Sequence, residues 1–264
     1  MTSGRKRFTE FLKGEPLTRP AFVPLVRGLL SRVEGVPMEK LTSDLTLWAN
    51  SLMKTTRLFG FDGVVAGLDF TLMPEACGCE LVWEEDRPMV MPLRGGLLET
   101  PEQSGRMKHA LETAARVFET CRSHYACIAA ITGPVTLASQ LFGPDEGPER
   151  AGEVKDLMVR SVDAFCRTRP DVLIFLEDTP LCRSGPSPAH RRIYSTLKNI
   201  ASHYDVSAGL YVQGYSSRNL EAFPLLDIDI YVLGPPESEP TPPGLCPAGT
   251  RRGGTGSGTR PSRG

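Results

Sequence analysis

Apolar positions along this chain recur alternately at helical spacing and in short unbroken runs. Residues 5–13 place Phe8, Phe11 and Leu12 on one face, as an amphipathic helix requires. Pro20 closes the approach to AFVPLV at 21–26, the first predicted strand. Ser43 or Asp44 caps a helix running to about Phe59, in which Leu45, Trp48, Leu52 and Met53 return at helical intervals. A second strand, built from Val64, Val65 and Leu68, delivers Asp69. After a charged loop at 83–88, a long helix over 102–123 leads to the third strand, ACIAAIT, and then to GPVTLASQLFG. A helix over 150–168 precedes the fourth strand, DVLIFLED, which ends at Glu177 and Asp178. The helix 188–203 precedes a fifth, VSAGLYVQ, and a short helix near 217–226 precedes a sixth, IDIYVLG. Such alternation, at intervals of about 30 to 50 residues, marks βαβ units in a parallel sheet.

The pattern stops at Gly234. The residues beyond it are dominated by Pro, Gly, Arg, Thr and Ser, and so cannot offset their ordering entropy by burial. The chain is therefore expected to divide into a barrel-like domain over 1–234 and a disordered tail over 235–264. The change is abrupt, as in a truncated or frame-shifted coding region or at a natural flexible tail.

Composition narrows the class. With 264 residues and 40% hydrophobic content, the chain can build a sizeable core as one barrel or two small domains. The apolar run at 126–135 falls well short of the ~20 residues that span a bilayer, and the basic N-terminus is not followed by an apolar secretory segment. A cytoplasmic protein without membrane association is expected. The net charge of −1 hides an asymmetry: residues 1–240 carry 26 Lys+Arg against 31 Asp+Glu, a mildly acidic body that argues against a nucleic-acid surface. Seven cysteines without framework spacing suit reduced thiols.

Asp69 is the leading candidate for chemistry. It ends an apolar run and is followed by a small-residue segment containing Gly78, so that in a βα-barrel it stands at the mouth where strand carboxyl ends gather the active site. The alternative is an Asp that caps the following helix. Glu177 poses the same choice: a second polar wall of the cleft, or an end-of-strand acid whose neighbour Asp178 caps the next segment. Cys77 and Cys79 read as a metal pair or, with no third ligand nearby, as small core thiols.

Three segments in this order resemble the uroporphyrinogen decarboxylase superfamily, across about residues 4–234. They are the opening RFTEFLKGEPLTRPAFVPL, the pattern Asp69, Pro74, Ala76, Gly78, Glu80, and ITGPVTLASQLFG. The resemblance implies a (β/α)8 TIM-type barrel, here incomplete at about six βα units and truncated at its C-terminal end. It also implies a cofactor-free carboxy-lyase that removes carboxyl groups from the acetate side chains of a tetrapyrrole. In such enzymes the aspartate matching Asp69 binds pyrrole N–H groups and stabilises the cation formed when a ring carbon is protonated. An arginine-rich motif after the first strand holds substrate carboxylates, and the match here is LVRGLLSRVEG, with Arg27 and Arg32 as substrate-binding candidates or as solvated loop residues. Gln140 takes the position of a tyrosine near the substrate, and Glu177 completes the candidate set.

The superfamily also contains corrinoid-linked methyltransferases, which hold zinc through a His-x-Cys pair after the fifth strand. This chain has Tyr211 and Gln213 there, neither a usual zinc ligand, so no metal site is assigned. Methyl transfer with zinc and a corrinoid protein is the alternative reading, and an inactive fragment the third. The partner the resemblance implies is a small tetrapyrrole-like substrate, with a second copy in a homodimer left as an open alternative.

Overall fold

A computed structural model of the protein describes residues 3–236. Its centre is a parallel sheet of β1 (Gly63–Ala66), β4 (Ala126–Thr132), β5 (Val172–Glu177), β6 (Ser207–Val212) and β7 (Ile230–Leu233), adjacent in that order. An antiparallel hairpin of β2 (Leu81–Glu84) and β3 (Arg87–Val90) stands apart from it. Helices Gly105–Cys121, Lys155–Cys166 and Pro188–His203 lie between successive parallel strands, and Leu45–Phe59 leads into β1.

The sheet is buried on both faces, which explains why β4 and β5 read as unbroken apolar runs. Alternate residues sort between the two sides. Cys127, Ala129, Ile131, Leu173 and Phe175 pack against the helices, within one core that includes Phe118, Val162, Phe165 and Leu197. Ala126, Ile128, Ala130, Val172, Ile174 and Leu176 face the opposite way, against Phe8 and the partly buried Ala21, Val23 and Leu25.

Helix ends follow local side-chain chemistry. Asp44, rather than Ser43, caps Leu45–Phe59 by accepting from Leu47 N at 2.9 Å. Ser187 and His190 form a reciprocal capping box that opens Pro188–His203.

Two expectations need correction. Residues 21–26 are not a regular strand, so the sheet has five parallel strands rather than six among the described residues. The Phe22 backbone pairs with Asp62, donating its N–H to the side chain and accepting from Asp62 N, both at 2.8 Å, and Pro24 has no N–H to extend a ladder. The expected charged loop at 83–88 is the tip of the β2–β3 hairpin, with Glu85 at φ 56° in its turn. The expected tail, 235–264, lies outside the described residues except for its first two.

Candidate functional site

The chain leaves β1 through Gly67, whose φ of 77° is left-handed and where a Cβ would stand 2.5 Å from the Ala130 carbonyl oxygen. Only glycine tolerates both the conformation and the approach. The turn carries Asp69 into a buried position, 2% exposed, at the carboxyl end of the strand. Its Oδ1 accepts from Thr71 N at 2.9 Å and from the Thr71 hydroxyl at 2.7 Å, an Asx-type turn that leads into helix Leu72–Ala76. Its Oδ2 lies 2.8 Å from Arg106 Nη1 and 3.0 Å from Arg27 Nη2. One oxygen of Asp69 thus serves the turn that enters the helix, whose N-cap is Thr71, and the other faces the two guanidinium groups.

Arg106 was not singled out from sequence. It opens helix Gly105–Cys121, is 6% exposed, and donates from Nε to Glu75 at 2.7 Å and from Nη2 to Thr71 Oγ1 at 3.0 Å. Burial pushes the Glu75 carboxyl above its ordinary value, against the attraction of Arg106. The signal was present in the periodicity: 106, 110, 113 and 117 share one helical stripe, and the other three are buried and uncharged. A guanidinium in such a stripe requires buried acceptors.

The hairpin covers this cluster. Trp83 lies 5.2 Å below the Arg106 guanidinium and 5.9 Å from that of Arg27. Asp86, in the hairpin turn, accepts from the Ser31 hydroxyl at 2.6 Å and from Met38 N at 2.9 Å, pinning the turn to the helices Gly28–Glu34 and Met38–Ser43.

Beside the cluster opens a cleft of 270 Å³, lined by Leu25, Arg27, Leu68, Asp69, Phe70, Thr71, Pro88 and Tyr211. Its walls are mostly apolar and its charges are one carboxylate and one guanidinium. Burial lowers the Arg27 guanidinium from its ordinary value despite the nearby Asp69, and its Nε and Nη2 have no aligned hydrogen-bond acceptor. A larger hollow of 650 Å³ lies on the outer flank, between helices Leu45–Phe59 and Gly105–Cys121. It holds Lys54, Arg57 and Arg116 but no acid, so the chemistry is argued from the Asp69 cleft.

The remaining candidates separate. Gln140 does not line the cleft; its Nε2 donates to the Phe70 carbonyl at 3.1 Å, alongside the Thr132 hydroxyl at 3.1 Å, and so it holds the cleft wall from behind. Arg32 is exposed on helix Gly28–Glu34, and its charge helps hold Asp86 low behind the hydrogen bonds from Ser31 and Met38. Glu177 corrects the expectation of a second polar wall. Strand alternation turns it toward the helices, fully buried, where it accepts from Val135 N at 3.0 Å, Thr136 N at 2.8 Å, the Thr136 hydroxyl and the Tyr194 hydroxyl. It caps helix Pro134–Phe142, while Asp178 caps Thr179–Ser184.

A zinc centre does not fit the described residues. The Tyr211 hydroxyl donates to Gln213 Oε1 at 3.1 Å, and no three His, Cys, Asp or Glu side chains converge to hold a metal among the described residues. Cys77 and Cys79 are both buried in the core, and burial pushes the Cys77 thiol up to about 12.

Against known families, residues 3–167 match the profile described as uroporphyrinogen decarboxylase (URO-D). No curated protein matches the chain. Among solved structures, a methyltransferase from Methanosarcina mazei superposes with a TM-score of 0.71 at 21% identity, covering 88% of this chain and 76% of that one. The likeness carries the TIM-barrel type of α/β fold. No helix among the described residues is long and apolar enough to cross a membrane.

Proposed function

We infer the reaction from the premise that the chain belongs to the uroporphyrinogen decarboxylase (URO-D) family. The reading is a carboxy-lyase acting on a small tetrapyrrole-type substrate that bears acetate groups, working without a cofactor in the cytoplasm. One observation carries it: Arg27 and Asp69 stand 3.0 Å apart in a mostly apolar cleft.

The two groups suit the two ends of such a reaction. A planar guanidinium with free N–H groups matches a carboxylate, and Arg27 offers two nitrogens without aligned acceptors. Protonation of a pyrrole ring carbon puts positive charge on the ring, and a fixed carboxylate stabilises that charge more strongly among apolar walls than in water. The C–C electron pair then flows into the cationic ring as carbon dioxide leaves. Arg106 and Thr71 hold Asp69 in place throughout, Leu25, Leu68, Phe70 and Pro88 exclude water, and Arg27 retains the substrate.

Asp69→Asn tests this, because it keeps the acceptor toward Thr71 and removes the charge. Loss of carbon dioxide release by about 10²- to 10³-fold is expected, as for removal of a main electrostatic stabiliser. Unchanged turnover would remove Asp69 from the mechanism. Methyl transfer is separated by metal analysis: one zinc per chain after chelator-free purification would support it over the lyase.

A further inference from the structure

The acid assigned to the substrate's positive charge already has partners on both oxygens. Asp69 Oδ1 takes two bonds from Thr71, and Oδ2 is shared between Arg106 and Arg27. Two carboxylate oxygens provide about four acceptor directions; three take hydrogen bonds, from Thr71 N, the Thr71 hydroxyl and Arg106, and the Arg27 guanidinium, ion-paired at 3.0 Å, stands beside Oδ2 at the fourth. An incoming N–H donor therefore meets the Arg27 guanidinium at the one direction that is not already hydrogen-bonded.

The four contacts differ in how firmly they are held. Both Thr71 bonds belong to the turn itself. Arg106 is almost wholly buried and tied a second time to Glu75 and a third to Thr71. Arg27 is a quarter exposed and borders the cleft. Its Nη2 is close enough to Asp69 for charge attraction yet lies off the hydrogen-bond direction, and Nε also has no aligned acceptor. It is the one partner that can be drawn away without dismantling the cluster.

We propose that the Arg27–Asp69 pair is a latch opened by the ligand's own carboxylate. A carboxylate entering the cleft takes the Arg27 guanidinium, and the departure of Arg27 frees one direction on Asp69 Oδ2 for an N–H donor of the same ligand. The site then selects molecules that carry both groups within reach of each other and disfavours those with an N–H donor alone. The inference rests on the reading of Arg27 as a carboxylate anchor, and it adds that occupancy of Arg27 controls access to Asp69.

Coupling between two small probes tests it on the unaltered protein. The probes are 4-methylimidazole at pH 8.5, neutral and bearing one N–H donor, and acetate, supplied separately. Acetate at saturation should tighten 4-methylimidazole binding at least 5-fold, measured by NMR titration, and linkage requires the reverse effect to be equal. Unchanged or weakened binding would overturn the latch. Arg27→Met gives the second arm: the latch predicts that 4-methylimidazole binds the variant more tightly than wild type while imidazole-4-acetate binds less tightly. If only the acetate derivative weakens, Arg27 is an anchor and no latch. If imidazole-4-acetate binds wild type and Arg27→Met equally, or fails to bind wild type, the anchor reading falls as well.

Discussion

Glu75 holds Arg106 by its Nε at 2.7 Å, which leaves the two terminal nitrogens of the guanidinium for Asp69 and Thr71. The helix Gly105–Cys121 is thereby bolted to the loop after β1 by one side chain. Removing one partner from a buried charge network strands the others without compensation. Arg106→Met should cost about 3–5 kcal/mol in urea unfolding, and Glu75→Gln, which keeps an acceptor for Nε, distinctly less. A loss for Arg106→Met below about 1 kcal/mol, the scale of an exposed ion pair, would show that the cluster is not a structural tie.

Glu177 links stability to pH. Burial raises its carboxyl from an ordinary value of 4.5 up to about 7, outweighing the hydrogen bonds from Thr136, Tyr194 and Val135 that lower it. A raised acid binds its proton more tightly in the folded state, so folding stability declines as pH climbs from 4.5 to 7, by roughly 3 kcal/mol. In melts across that window, Glu177→Gln should gain on wild type as pH rises, because it has no proton to lose. A constant difference would refute the linkage. Gly133→Ala should also destabilise, since its Cβ would fall 2.1 Å from Glu177 Oε1 and push the carboxylate off the helix end.

The hairpin should detach from the site when Asp86 loses its charge. The hydrogen bond from Ser31 and then that from Met38 N hold this carboxyl below its ordinary 3.8. Docking is therefore intact above that value and is lost as pH falls through the lowered one. The chain has two tryptophans, so Trp48→Phe leaves Trp83 as the reporter. In that background, Asp86→Ala at pH 7 should red-shift the emission as the indole leaves the two guanidinium groups. Unaltered emission would mean that other contacts hold the hairpin.

Cys77 should resist alkylation in the folded protein. With its thiol pushed up to about 12 by burial, only about one molecule in 10⁴ is thiolate at pH 8, and the thiolate is the reactive form. Iodoacetamide at pH 8, followed by peptide mapping, should leave Cys77 unmodified until urea is added. Rapid native labelling would place the thiol nearer solvent than its packing allows.

Five of the six expected parallel strands were legible because each is a short apolar run that follows a helical segment, as β4 and β5 do. The segment 21–26 carries the same composition but spends its polar contacts on Asp62, a long-range partner that no local pattern announces. The hairpin was hidden because Glu84, Glu85, Asp86 and Arg87 dominate its turn, although its residues alternate half-buried and exposed. At the site, Asp69 was visible from its place after an apolar run and Arg27 through the family resemblance, and the structure brings them together. Glu177 was misplaced for a reason of parity, since one residue along a strand decides which face a side chain takes. Arg106 was overlooked because helical periodicity was read for its apolar members only.

The Phe70 carbonyl, held at once by Thr132 and Gln140, has a consequence for engineering. The loop that presents Asp69 is moored to residues more than 60 positions downstream, in β4 and in the helix Pro134–Phe142. Chimeras assembled from relatives should therefore be cut outside 69–140, because a graft of the loop alone would leave its moorings behind.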